Sequence, residues 1–156
     1  MTTFTKLSYE RPDLDALNSR LSDYSAELQQ ASTLEEANEL IRQINKERND
    51  FETQSQLVAI RHSVDTRDSF YEEEQAFFDD ALPVYEKEIQ AYYRVLTNHE
   101  LRTELEAEWG SQLFSLAERA LETFEESLIP KLQEENRLAT AYQKVMSAAQ
   151  IEFDGK

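Results

Sequence analysis

The stretch TLEEANELIRQINKERNDFETQSQLVAIRHSV, residues 33–64, decides the fold. Thr33-Leu34-Glu35-Glu36 is a capping box, with a threonine at the cap and a glutamate three residues on. Behind it, Ala37, Ile41, Ile44, Phe51 and Val58 fall on one helical face. The pattern runs to about Val64, roughly 30 residues or about 45 Å of helix. That exceeds the usual globular helix and predicts an elongated helical hairpin. Arg48 and Ser55 interrupt the apolar face, so this side of the helix is expected to meet more than pure core.

Upstream, Pro12 is predicted to open a helix at its favoured first-turn position, with Asp13 near the positive end of the dipole. Leu14, Leu17, Leu21, Tyr24 and Leu28 alternate spacings of three and four, the seam of a helix in a hairpin or coiled coil. Downstream, Asp65-Thr66-Arg67-Asp68 is a polar turn, and Asp68 or Ser69 caps a third helix. Pro83 falls inside that helix and removes a hydrogen bond, which predicts two segments, about 69–80 and 84–97. Asn98 is read as the cap of a short helix over about 99–107, and Gly110 as a left-handed stop after Trp109. A fifth helix, about 111–127, carries a broad stripe from Leu113 to Leu128 and is expected to be the most buried. Pro130 restarts a sixth, with Leu132, Leu138, Ala139, Tyr142, Val145, Met146 and Ala149 as its face. Gln150-Ile151-Glu152-Phe153-Asp154-Gly155 alternates and ends in Asp-Gly, which reads as a strand entering a hairpin turn. The fold class is therefore all-α: an elongated multi-helix bundle with long hairpins and a short C-terminal β-strand. Residues 1–149 form the helical domain, and 150–156 begin a strand or hairpin that leads onward.

Composition agrees. Two glycines and three prolines in 156 residues leave little material for turns, and helix tolerates that scarcity best. Hydrophobic content of 40% argues against disorder despite a net charge of −16. A chain this acidic repels nucleic-acid phosphates and anionic lipid, so neither is an expected partner. No apolar run reaches the ~20 residues of a membrane span. No basic stretch with an apolar segment opens the chain, so cytoplasmic is the default location. Without cysteine there is neither a disulfide framework nor a thiol nucleophile.

Chemistry is scarce. The two histidines are His62 and His99. His99-Glu100-Leu101-Arg102-Thr103 approximates the zinc-peptidase HExxH, but Thr103 stands where the second imidazole must point at the metal. Neither histidine has a glutamate three residues before it, so a di-iron carboxylate bundle is excluded. Glu72-Glu73-Glu74 and Asp79-Asp80 lack the loop spacing of a calcium site and read as a solvated face. His62, three residues before Asp65 and beside Arg61 and Arg67, reads either as a peptide-contacting cluster or as a histidine held by the helix dipole and paired with Asp65; the second reading is preferred. Tyr85, Tyr92 and Tyr93, with Phe77 and Phe78, form an aromatic stripe that defaults to core, although some tyrosines could line a peptide groove. The candidate residues for a peptide-channel or structural cluster are thus His62, Asp65, Tyr92 and Tyr93. No catalytic or metal-ligating residue is nominated.

Tyr9-Glu10-Arg11-Pro12-Asp13, the stretches Ala59–Thr66 and Trp109–Glu118, and Leu132–Leu138 running on to Ala149–Gly155 together resemble the N-terminal region of bacterial oligoendopeptidase F, in the thimet-oligopeptidase family of zinc metallopeptidases. The resemblance implies a mainly helical enzyme that cuts short peptides in a deep channel. It places the zinc, held by HExxH and a downstream glutamate, in a C-terminal catalytic part whose residues are not in this chain. This chain would be the helical N-terminal domain, one wall of the channel, restricting access by size. No cofactor is expected in the chain itself, and zinc is expected in the full-length enzyme. Expected partners are its own C-terminal catalytic domain and short peptide substrates. The alternative is an acidic helical interaction or adaptor module with no enzymatic role, which the clean Leu14–Leu28 seam also fits.

Overall fold

The computed structural model of the chain describes residues 7–149. Among them lie six α-helices: α1 Leu14–Gln30, α2 Leu34–Val64, α3 Ser69–Thr97, α4 Arg102–Trp109, α5 Ser111–Thr123 and α6 Ile129–Ser147, with a 3₁₀ turn at Glu126–Leu128 before α6. No strand occurs among the described residues. The strand and turn expected at 150–155 fall outside them.

Side-chain caps explain where the long helices start. Both arms of the box that opens α2 are made, between Thr33 and Glu36. Asp68 caps α3 by accepting from the Phe70 and Tyr71 amides. For α1 the cap is Asp13, which accepts from the Ala16 amide at 3.0 Å. Pro12 therefore precedes the helix and does not occupy its first turn; with a carboxylate available, Asp13 satisfies an amide that proline could only leave out. Pro130 does fall in the first turn of α6.

The seams predicted for α1 and α2 are buried. Leu17, Leu21 and Leu28 of α1 meet Ala37, Ile41, Ile44, Phe51 and Val58 of α2 in one core with Phe78, Tyr85, Ile89, Tyr92 and Leu96 of α3. α3 is the centre of the molecule and lies against α1, α2, α5 and α6. Each fully buried aliphatic or aromatic side chain contributes about 1.5–3 kcal/mol by leaving water. Truncating Ile44, which has no exposed surface, should cost about 2–5 kcal/mol.

α3 does not break at Pro83; one helix runs from Ser69 to Thr97 through it. A proline inside a helix strands the carbonyl four residues earlier, here Asp79, and the next carbonyl, Asp80, lies beside it. Both are satisfied from α6. The Asn136 amide donates to the Asp79 carbonyl at 3.1 Å, and Gln133 donates to the Asp80 carbonyl at 2.8 Å. A neighbouring helix thus supplies, through Asn136, the donor that the proline withholds.

Three other expectations change. α5 stops at Thr123, and only Phe114 and Ala117 on it are buried, while Leu116 is exposed. Its broad stripe is wider than its contact with α3 and α4, so it is not the most buried helix. Asn98 caps nothing downstream; it ends α3 and donates to the Arg94 carbonyl, so α4 begins at Arg102. Gly110 has the expected positive φ, 85°, but its ψ of 147° lies in the extended mirror region open essentially to glycine alone, and not in the left-handed helical well.

The α6 donors define a double-mutant test. Asn136→Ala should destabilise the fold by about 1–2 kcal/mol by orphaning the Asp79 carbonyl. In a Pro83→Ala background, where residue 83 regains an amide, the same change should cost about 1 kcal/mol less. Urea unfolding of the four proteins measures the coupling, and strict additivity would refute the account.

Candidate functional site

The four residues nominated from sequence occupy two separate places. His62 and Asp65 sit at the α2–α3 turn; Tyr92 and Tyr93 sit near the far end of α3, roughly 36 Å away along that helix. His62 is 1% exposed, and its Nε2 makes no hydrogen bond. Asp65 does not pair with it. The Asp65 carboxylate turns outward and accepts from the Arg67 backbone amide at 3.0 Å, which holds its pKa below the ordinary value. Tyr92 is wholly buried and its hydroxyl has no partner, so burial pushes its pKa up. Its neighbour Tyr93 is half-buried, with the Arg48 guanidinium 5.6 Å from its ring centre. Arg48, which interrupts the α2 seam, therefore covers an aromatic face. Glu52, one turn along α2, accepts from the Tyr85 hydroxyl at 3.0 Å.

A second polar cluster holds the segment before α1. Arg11 grips Glu74 of α3 bidentately, with Nη2 at 2.6 Å and Nε at 2.8 Å. The Tyr9 hydroxyl also donates to that carboxylate. Glu74 is 4% exposed, and the Arg11 hydrogen bonds hold its pKa down. Further contacts continue the strap. Glu10 donates its amide to Gln54, Arg61 reaches the Leu7 carbonyl and the Tyr71 hydroxyl, and Arg11 stacks 5.0 Å from the Phe77 ring centre. Nothing in the sequence tied Glu74 to Arg11. Glu74 lay in a run read as solvated, and only its position beside apolar Phe77 and Phe78 hinted at a buried side.

The donor set does not fit zinc. His99, the first residue of the HExxH-like stretch, has both ring nitrogens committed: Nε2 lies 2.8 Å from the Leu28 carbonyl, and Nδ1 accepts from the Leu101 amide. The ring joins the end of α1 to the start of α4 and has no lone pair free for a metal. Among the described residues no group of three or more His, Asp or Glu side chains is arranged to hold an ion.

The most unusual surface belongs to α6. Its side chains toward α3 are polar: Gln133 and Asn136 on the Asp80 and Asp79 carbonyls, Arg137 on Asp80 at 2.6 Å, and Lys144 on Glu72. At about 100° per residue, Leu138, Tyr142, Val145 and Met146 lie on the opposite side. They are 64%, 67%, 69% and 58% exposed, and no residue of α6 is buried. The amphipathic helix is turned inside out relative to a self-contained domain. The sequence showed this apolar face, but not which way it points.

Layered helices around a long central helix, with polar groups committed internally and the apolar face of α6 turned outward, define an all-α helical domain. The Peptidase M3 N-terminal domain family matches residues 4–124, and the chain belongs to that family. Three solved structures resemble it closely. PZ peptidase A, solved with an inhibitor, superposes with a TM-score of 0.94 at 41% identity over 99% of this chain. An oligoendopeptidase F from Bacillus anthracis str. Ames gives 0.95 at 40% identity over 100%, and a further oligoendopeptidase F gives 0.95 at 38% over 100%. The chain spans between 27% and 29% of the length of those proteins. No curated protein matches it. The resemblance to oligoendopeptidase F, read in sequence from Tyr9–Asp13, Ala59–Thr66, Trp109–Glu118 and Leu132–Leu138 running on to Ala149–Gly155, extends along the full length of this chain.

Two stability outcomes follow from these clusters. Because the folded-state pKa of Glu74 is depressed, its contribution is complete above the ordinary glutamate range and is lost as pH falls through the lowered value. Arg11→Met should cost about 1–2 kcal/mol, less than the ~3–5 of a fully buried pair because Arg11 is partly exposed, and should flatten the loss of stability on acidification. Urea midpoints measured from neutral to acid pH check both. Tyr92→Phe removes a buried hydroxyl without a partner and should be neutral or stabilising by about 1 kcal/mol; a clear loss would show that the hydroxyl is bonded.

Proposed function

We propose that this chain is the helical N-terminal domain of a zinc-dependent oligopeptidase, forming one wall of a channel that admits short peptides and turns folded proteins away. The match to the Peptidase M3 N-terminal domain family over residues 4–124 carries the reading. Its support in the geometry is that both histidines are packed inside, one of them with both ring nitrogens hydrogen-bonded, within an all-helical architecture. Zinc and its ligands belong, in this reading, to the rest of the protein, which supplies the Lewis acid and activated water. The chain supplies exclusion and positioning.

Asp65 and Tyr93 are the nominated residues with surface to offer a peptide: the first as an outward carboxylate, the second as a half-buried ring. His62 and Tyr92 stand behind them as packing. The net charge of −16 favours peptides with positive charge along the approach. In this reading the protein works in the cytoplasm.

The full-length protein should cleave a short quenched-fluorescence peptide, lose that activity to a chelator, and regain it on zinc addition. Unfolded long chains and folded proteins should be cut far more slowly than the peptide. Equal rates on peptide and folded protein would remove the size-restricting role, and activity indifferent to chelation would remove the zinc.

A further inference from the structure

We propose that the outward stripe of α6, formed by Leu138, Tyr142, Val145 and Met146, is the seat of polypeptide that follows this domain in the same chain. The inference rests on the proposed peptidase reading for the existence of that polypeptide, and it assigns the surface on which it sits. Three observations favour this occupant over a second copy or a foreign partner. First, α6 spends its polar side chains on α3 and keeps its apolar ones for the other side, so the helix is fitted between two bodies. Second, α6, from Ile129, is the last helix among the described residues and lies beyond the stretch 4–124 that the family model matches, so it is the helix nearest in sequence to any polypeptide that follows. Third, the similar solved proteins are more than three times as long as this chain, since it covers 29% of one and 28% of another. A stripe this exposed on one helix would be a liability in a finished surface, whereas a face covered by the same polypeptide is met at a high effective concentration and at a lower association cost than a separate partner would incur.

α6 then works as a two-sided splint. Its α3 side reads the Asp79 carbonyl freed by Pro83 and the Asp80 carbonyl next to it, which sets its position along α3. Its apolar side sets the position of whatever packs on it. The orientation of the helical wall relative to the remaining protein is thereby linked to the Asn136 and Gln133 contacts.

The test uses the full-length protein. Hydroxyl-radical footprinting reads Met146 and Tyr142 without substitution, and Leu138→Cys, in a chain region that has no native cysteine, reads thiol labelling at a third point of the stripe. Each is compared with the same protein in urea, and peptide hydrolysis is measured on the same samples. Modification slowed by at least roughly tenfold at all three positions, unchanged on dilution, supports the assignment. Modification near the denatured rate overturns it; if peptide hydrolysis persists, the peptidase reading survives that failure. Protection that disappears on dilution overturns it in favour of a second copy. Protection in a protein with no peptidase activity supports the seat and removes the peptidase reading instead.

Discussion

Helix α3 must pass through Pro83 without losing its phase. Upstream of the proline, Phe78 and Ala81 face the α1–α2 core; downstream, Tyr85, Ile89, Tyr92 and Leu96 continue the same face. A break would rotate the second half and move four buried side chains off the core, a loss of several kcal/mol at about 1.5–3 each. Against that, the proline removes one backbone hydrogen bond, with a net worth of about 1 kcal/mol. Packing therefore favours continuity, and the stranded Asp79 carbonyl, with the Asp80 carbonyl beside it, becomes a fixed point on the back of α3. Asn136 and Gln133 occupy that point. The place of α6 in the molecule follows from a residue that usually ends helices.

This arrangement explains why α6 can afford to face its apolar side outward. Helices normally gain their place by burying a stripe. Here, two amide-to-carbonyl bonds and the Arg137–Asp80 and Lys144–Glu72 ion pairs do that work. Such contacts each contribute about 1 kcal/mol or less at partly exposed sites. They set geometry more than they add stability, because each needs a particular donor opposite a particular acceptor. The apolar area left over is then available to a second body.

The helical seams were legible because burial imposes period 3.6 and the caps are local. Leu17, Leu21 and Leu28, or Thr33 with Glu36, declare themselves within a few residues. What the sequence hid was the direction of faces and the pairing of distant polar groups. Leu138 and Val145 have the spacing of core residues, and only the three-dimensional arrangement shows them turned outward. Pro83 announced a lost hydrogen bond at Asp79, but its replacement lay at Asn136, far along the chain. Glu74 in a run of three glutamates read as solvated until Arg11 and Tyr9 closed on it. The nominated His62, Asp65, Tyr92 and Tyr93 were each credible on local chemistry, yet position along α3 divides them between two ends. Proximity of this kind is a tertiary fact that no local spacing encodes.

Polar groups in the interior have a further consequence for a domain whose own histidines are packed away. Three long helices with heptad-like seams can slide past one another by a turn, about 5.4 Å, and still put apolar side chains together. Contacts between named polar groups cannot slide. Arg11 meets the buried Glu74 carboxylate bidentately, Tyr85 finds Glu52, Trp109 finds Asn38 at 2.7 Å, and His99 finds the Leu28 carbonyl. Slipping any helix by one turn would leave a buried carboxylate, hydroxyl or imidazole without its partner, at a cost of about 1–3 kcal/mol for each neutral group and more for the charge. The apolar stripes make the bundle stable; these four pins, spread from the segment before α1 to the end of α4, make it singular. These register-setting contacts, more than the apolar stripes, are where this sequence commits the bundle to one shape.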